Sequence, residues 1–133
     1  MGMHLRPRNK KAETFYMGAF SWGWMLRSGV GLCIGASRCP LWAEGGSMSI
    51  HDDEGRDPFC NDGYYVTADE ARAMSHAAMG LANRETTLWG WWEAMPADTR
   101  PTERGAELVR RDFIEKAERF SQWAYQSHGF WIR

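Results

Sequence analysis

No stretch of this chain holds the ~20 consecutive apolar residues that a membrane-spanning helix requires, which argues against a span. Its first ten residues, MGMHLRPRNK, carry charge where a secretory leader would need an apolar core, so the expected location is the cytoplasm. The start Met1-Gly2 resembles a myristoylation site, but Arg6 stands where that motif requires Ser or Thr, and lipidation is disfavoured. Cysteine is scarce. Cys33, Cys39 and Cys60 are odd in number and unevenly spaced, which does not suit a secreted disulfide framework.

The chain also lacks a strong charge of either sign. A formal net charge of −1 gives no global attraction to nucleic acid or to an anionic membrane, so electrostatic function must come from local patches. Internal repeats and low-complexity segments are missing as well. No phosphate-binding glycine loop, nucleophile elbow or helical H-E-x-x-H occurs. The run Gly29-Val30-Gly31-Leu32-Cys33-Ile34-Gly35 has one residue too many between its last glycines for a dinucleotide fingerprint, and it follows a helical pattern where a strand is needed.

What is present fits one globular domain over residues 1–133. The composition is 44% apolar and 25% charged, near the globular average. A chain of 133 residues can bury roughly two-thirds of the surface its unfolded form exposes. Charge is local: His4, Arg6, Arg8, Lys10 and Lys11 make the first segment basic, whereas Asp52, Asp53, Glu54 and Asp57 make the middle acidic. The conspicuous surplus is tryptophan, at eight residues.

The pattern of elements predicts an α+β fold, predominantly helical, with three main helices and a few short strands from the two termini and the middle. Met3-His4-Leu5-Arg6 alternates apolar and basic residues, which predicts a strand that ends, or lies at an edge, at Pro7. Phe15, Ala19, Trp22 and Leu26 recur at helical spacing and predict a helix over about 12–28, with Asn9 or Thr14 as its cap. The glycine-rich middle, to about residue 63, is read as loop, with Leu32-Cys33-Ile34 and Met48-Ser49-Ile50 as candidate strand fragments. Asn61-Asp62-Gly63 signals a turn, Tyr64-Tyr65-Val66 a strand, and Thr67-Ala68-Asp69-Glu70 a capping box. The second helix then runs from 68 to about 85, or past Thr86-Thr87 to about 94, and Pro96 ends it. A third helix spans about 103–127, with Leu108, Phe113, Ala117, Phe120 and Ala124 on one face and i,i+4 ion pairs on the others. Gly129 closes it, and Phe130-Trp131-Ile132 reads as a terminal strand able to pair with the first.

Four constellations bear on function. Trp89-Gly90-Trp91-Trp92 cannot bury all its rings on one helical face, which marks Trp89, Trp91 and Trp92 as expected partner-binding residues. Trp22, Trp92 and Trp123 fit the core stripes. Cys33, Cys39, His51 and Cys60 form a sound tetrahedral zinc set by type, but none of the pairs has the C-x2–4-C spacing that nucleates such sites. Cys60 or Ser49 with His51 or His76, and Asp52 beside His51, supply the types for nucleophilic catalysis without a motif to assemble them, so no catalytic residue is assigned and no cofactor is implied. Arg104, Arg110, Arg111 and Arg119, with Lys10 and Lys11, suggest a phosphate-binding face. The interspersed Glu103, Glu107, Asp112, Glu115 and Glu118 argue against nucleic acid there.

Three segments resemble a diffuse group of small proteins encoded by bacteriophages, prophages and mobile elements: Met1-Gly2-Met3-His4-Leu5, Asp62 through Ala71, and Arg119-Phe120-Ser121-Gln122-Trp123-Ala124 through Gly129-Phe130-Trp131-Ile132. The resemblance implies a protein that binds and blocks a host protein complex, as anti-CRISPR inhibitors do, through the exposed tryptophans or the carboxylates Asp52, Asp53 and Glu54 of the acidic loop. The alternatives are a small enzyme or zinc-binding protein with its site in residues 33–60, and a homodimeric nucleic-acid-binding regulator.

Overall fold

A computed structural model describes residues 2–34, 56, 58, 60–83 and 103–133. These form four strands, β1 (Gly2–Pro7), β2 (Phe15–Gly18), β3 (Tyr64–Val66) and β4 (Phe130–Ile132), and three helices, α1 (Ala19–Arg27), α2 (Ala68–Ala82) and α3 (Glu103–Ser127), with a 3-10 helix at Val30–Ile34. The α+β class expected from the sequence is the class observed. Among the described residues, no helix is long and apolar enough to cross a membrane.

The strands form one antiparallel sheet in the order β2-β1-β4-β3. The alternation in β1 sends Met3 and Leu5 into the core and leaves His4 and Arg6 exposed. Pro7 does end its strand, although β1 lies inside the sheet rather than at its edge. Hydrogen bonds from Arg133 N to His4 O and from Arg8 N to Gly129 O place the even residues of β1 in the hydrogen-bonded sites facing β4. Pro7, opposite Phe130 in a non-hydrogen-bonded site, therefore needs no donor on that side.

The helix expected over 12–28 divides in two. Phe15–Gly18 is a strand, and the helix begins only at Ala19. The misleading signal is that Phe15 and Trp22 do both face the core, but from two elements, while Ala19 between them is exposed. Pairing with β1 decides the matter, because Tyr16 and Phe15 stand opposite His4 and Leu5. Asn9 caps a different helix from the one expected: its amide Nδ2 donates to Gln126 O at 2.9 Å and its backbone N to Ser127 O at 2.8 Å, at the C-terminal end of α3. Residues 32–34, a candidate strand fragment, lie in the 3-10 helix. Gly29 turns the chain at φ +110°, and a Cβ at Gly31 would stand 2.6 Å from Leu26 O. That close approach fixes a tight turn and leaves no extended path. Residues 48–50 lie outside the described residues.

The second helix opens with the capping box read from the sequence. Thr67 Oγ1 accepts from Glu70 N at 3.2 Å, and Glu70 Oε1 accepts from Thr67 N at 3.0 Å. Ala71, Met74, Ala78 and Leu81 are buried on its inner face, and Phe113, Ala117, Phe120 and Ala124 on that of α3. The two helices are tied by a reciprocal serine pair: Ser75 Oγ donates to Ser121 O at 2.6 Å and Ser121 Oγ to Ser75 O at 2.7 Å. Asp112–Lys116 at 2.9 Å and Glu115–Arg119 at 2.6 Å are the exposed pairs expected along α3. His128 (φ +57°) and Gly129 (φ +98°) then reverse the chain into β4.

All helices with described packing lie on one side of the sheet. The core between them is strongly aromatic: Trp22 and Trp123 surround Phe120 and Phe130 with ring centroids 5.1–6.4 Å apart. Each tryptophan also satisfies its indole nitrogen. Trp22 Nε1 donates to Pro58 O at 2.8 Å and Trp123 Nε1 to Glu13 O at 2.6 Å. Trp22 is a core residue, as its stripe indicated, with Trp24 beside it at 7% exposure, and Trp123 packs half-buried against the core.

Candidate functional site: the open face of the sheet

The partner-binding residues expected from the sequence, Trp89, Trp91, Trp92, Asp52, Asp53 and Glu54, lie outside the described residues, as do Cys39 and His51. Cys33 is half-buried on the 3-10 helix, where burial pushes its thiol pKa up and nearby Glu70 adds to the shift against a backbone hydrogen bond that lowers it. Cys60 is exposed in the turn before β3. Among the described residues no group of three His, Cys, Asp or Glu side chains stands together as a metal site. Arg111 and Arg119 are exposed on α3, where Arg119 pairs with Glu115.

A different surface gathers aromatic and cationic chemistry. The register of the sheet places its outward side chains in two transverse rows. Tyr16 of β2 stands opposite His4 of β1, and the hydrogen bond from Arg133 N to His4 O carries that row on to Arg133. One pleat further, Arg6 of β1 stands opposite Trp131 of β4, which stands opposite Tyr65 of β3. Each row therefore combines aromatic rings with cationic or protonatable side chains. Arg8 follows beyond the second row.

The geometry within the rows is specific. Tyr16, 63% exposed, meets the His4 ring edge-on at 5.2 Å. It lies across Gly2, where a Cβ would collide with the tyrosine ring. Trp131 and Tyr65 pack at 4.9 Å with their planes tilted by 40°. The Arg133 guanidinium carbon stands 5.6 Å from the Trp131 ring centroid, within cation–π range. Arg8 Nη1 donates to Tyr65 OH at 3.4 Å, tying the cation to the aromatic pair.

Asn61 completes the frame. Its Nδ2 donates to Gly2 O at 2.7 Å and its Oδ1 accepts from His4 N at 3.2 Å, so the side-chain amide serves β1 where β4 no longer reaches. No residue of the four strands is acidic. The alternation of β1 was legible in the sequence, but the convergence of Tyr16, Tyr65 and Trp131 upon it was not, because three different pairings create it.

Comparison with family models, with curated proteins and with solved structures finds no match for this chain.

Proposed function

We propose that the protein binds single-stranded nucleic acid on the open face of its sheet. The observation that carries the reading is the pair of rows Tyr16–His4–Arg133 and Arg6–Trp131–Tyr65 on strands without a carboxylate. Single strands are held by aromatic rings on which bases stack and by cations that follow the phosphates, and a four-stranded sheet with aromatics on its free face is a recurring platform for both. A duplex is a poorer occupant, since its bases are already stacked and a flat sheet does not enter a groove. Location in the cytoplasm agrees with this role and is supported by the odd number of cysteines.

The phage-protein resemblance supports a second reading, in which the surface blocks a host protein complex. Exposed aromatics beside arginine also suit a protein hot spot. Titration of the purified protein with unlabelled (dT)10, (rU)10 and a 10-base-pair duplex separates the two. The nucleic-acid reading expects binding of at least one single strand in preference to the duplex, weakening as salt rises, and reduced in Trp131→Ala. Failure to bind either single strand, with Trp131-dependent capture of one host protein complex, would replace it with the second.

A further inference from the structure

We infer that the cleft beyond the end of β1 is a second subsite of this surface, taking the phosphate and base of a nucleotide that follows those held by the sheet; the inference rests on the nucleic-acid reading above. The cleft, of about 260 Å³, is lined by Asn9, Lys11, Ala12, Tyr125, Gln126 and His128, and lies between the β1–β2 turn and the last turn of α3. Its chemistry repeats that of the sheet. Lys11 supplies an ammonium, Tyr125 an exposed ring at 59%, and Gln126 and His128 further hydrogen-bonding groups, with no carboxylate in the lining.

A helix C-terminus ordinarily repels an anion, because its last carbonyls carry partial negative charge. Here three of those carbonyls are occupied. Gln126 O accepts from Asn9 Nδ2, Ser127 O from Asn9 N and Ala124 O from Ser127 Oγ. Asn9 Oδ1 also accepts from Lys11 N at 3.1 Å, so one side chain fixes the turn to α3 and sets the backbone from which Lys11 projects. The cleft is preorganised and its local dipole is offset.

Position joins it to the sheet. His4, Arg6 and Arg8 recur every second residue along β1 and its extension, a step of about 6.7 Å at strand rise, comparable to the phosphate spacing of an extended single strand. A backbone following this line passes Arg8 and arrives at the turn that carries Lys11. The cleft is smaller than the roughly 300–1,000 Å³ of independent drug-sized sites, which suits one nucleotide unit arriving on a strand held elsewhere.

Isothermal titration of the full chain with (dT)4 and (dT)8 tests this. Additional registers alone favour the octamer by about fivefold, while a second subsite raises the preference of the native protein to about fiftyfold or more. The variant K11A/Y125A alters two exposed side chains and is expected to retain native circular dichroism and native (dT)4 affinity, with its octamer preference falling to about fivefold. An octamer preference unchanged in K11A/Y125A, or no more than about fivefold in the native protein, overturns the subsite while leaving the sheet reading intact. Failure of the sheet reading looks different: neither oligonucleotide binds, or R6A/W131A binds both as the native protein does.

Discussion

Tyr16 lies across Gly2, its ring occupying the space where any side chain at residue 2 would begin. Glycine at that position is therefore what lets an edge-strand tyrosine lie over the neighbouring strand and meet His4 edge-on. Gly2→Ala is expected to drive the ring off the face without unfolding the sheet. If Tyr16 stacks on a base, Gly2→Ala and Tyr16→Ala each weaken oligonucleotide binding, Tyr16→Ala by about 1–3 kcal/mol. The double variant should be little worse than Tyr16→Ala alone, and a double-mutant cycle that found the two effects additive would dissociate Gly2 from Tyr16.

Arg6 stands at the β1 end of the second row, opposite Trp131. A residue that neutralises one phosphate of a single strand contributes about 0.7 to the slope of log K against log salt. Arg6→Ala should reduce the slope by about that amount, whereas Trp131→Ala should lower affinity with the slope unchanged. Binding isotherms at four salt concentrations distinguish the two roles.

Thr67 and Glu70 serve the fold rather than the face. Thr67→Ala removes the hydroxyl that accepts from Glu70 N, and loss of such a cap costs about 1 kcal/mol. Thermal unfolding should shift down by about 3–6 °C for a chain of this length.

The serine pair between α2 and α3 is expected to show coupling. Ser75→Ala or Ser121→Ala removes one donor from a buried carbonyl, a loss of about 1–3 kcal/mol by denaturant unfolding. Because the two hydroxyls also face each other at 3.2 Å, the double variant should be less destabilised than the sum of the singles.

Cys33 gives a pH-dependent readout. Burial is the largest cause of its raised pKa, so the neutral thiol persists above the ordinary thiol range. The folded protein should resist alkylation at Cys33 near pH 7.5, with the rate still climbing as pH rises past 9, while exposed Cys60 is labelled sooner. Holding the Cys33 proton also makes stability fall as pH rises through the unfolded thiol's pKa toward the folded value. Peptide mapping after timed iodoacetamide treatment checks the order of labelling.

The sequence revealed elements whose signals are local. The capping box at Thr67–Glu70, the stripe of α3 and the alternation of β1 depend on neighbours within a few residues, and each stands where its pattern indicated. Residues 15–18 did not, because Phe15 and Trp22 satisfy helical spacing while strand pairing with residues 2–5 decides the conformation. The candidate site was hidden for the same reason. Tyr16, Tyr65, Trp131 and Arg133 carry no common motif, and only sheet register makes neighbours of them.

The two inner strands of the sheet, β1 and β4, are separated by more than one hundred intervening residues, yet their pairing joins the β1–β2 and β3–β4 halves into one sheet. A nascent chain can form α2 early, but the platform does not exist until residue 132 has emerged from the ribosome. Partially synthesised chains that lack β4 carry the basic segment of β1 without Trp131 opposite Arg6.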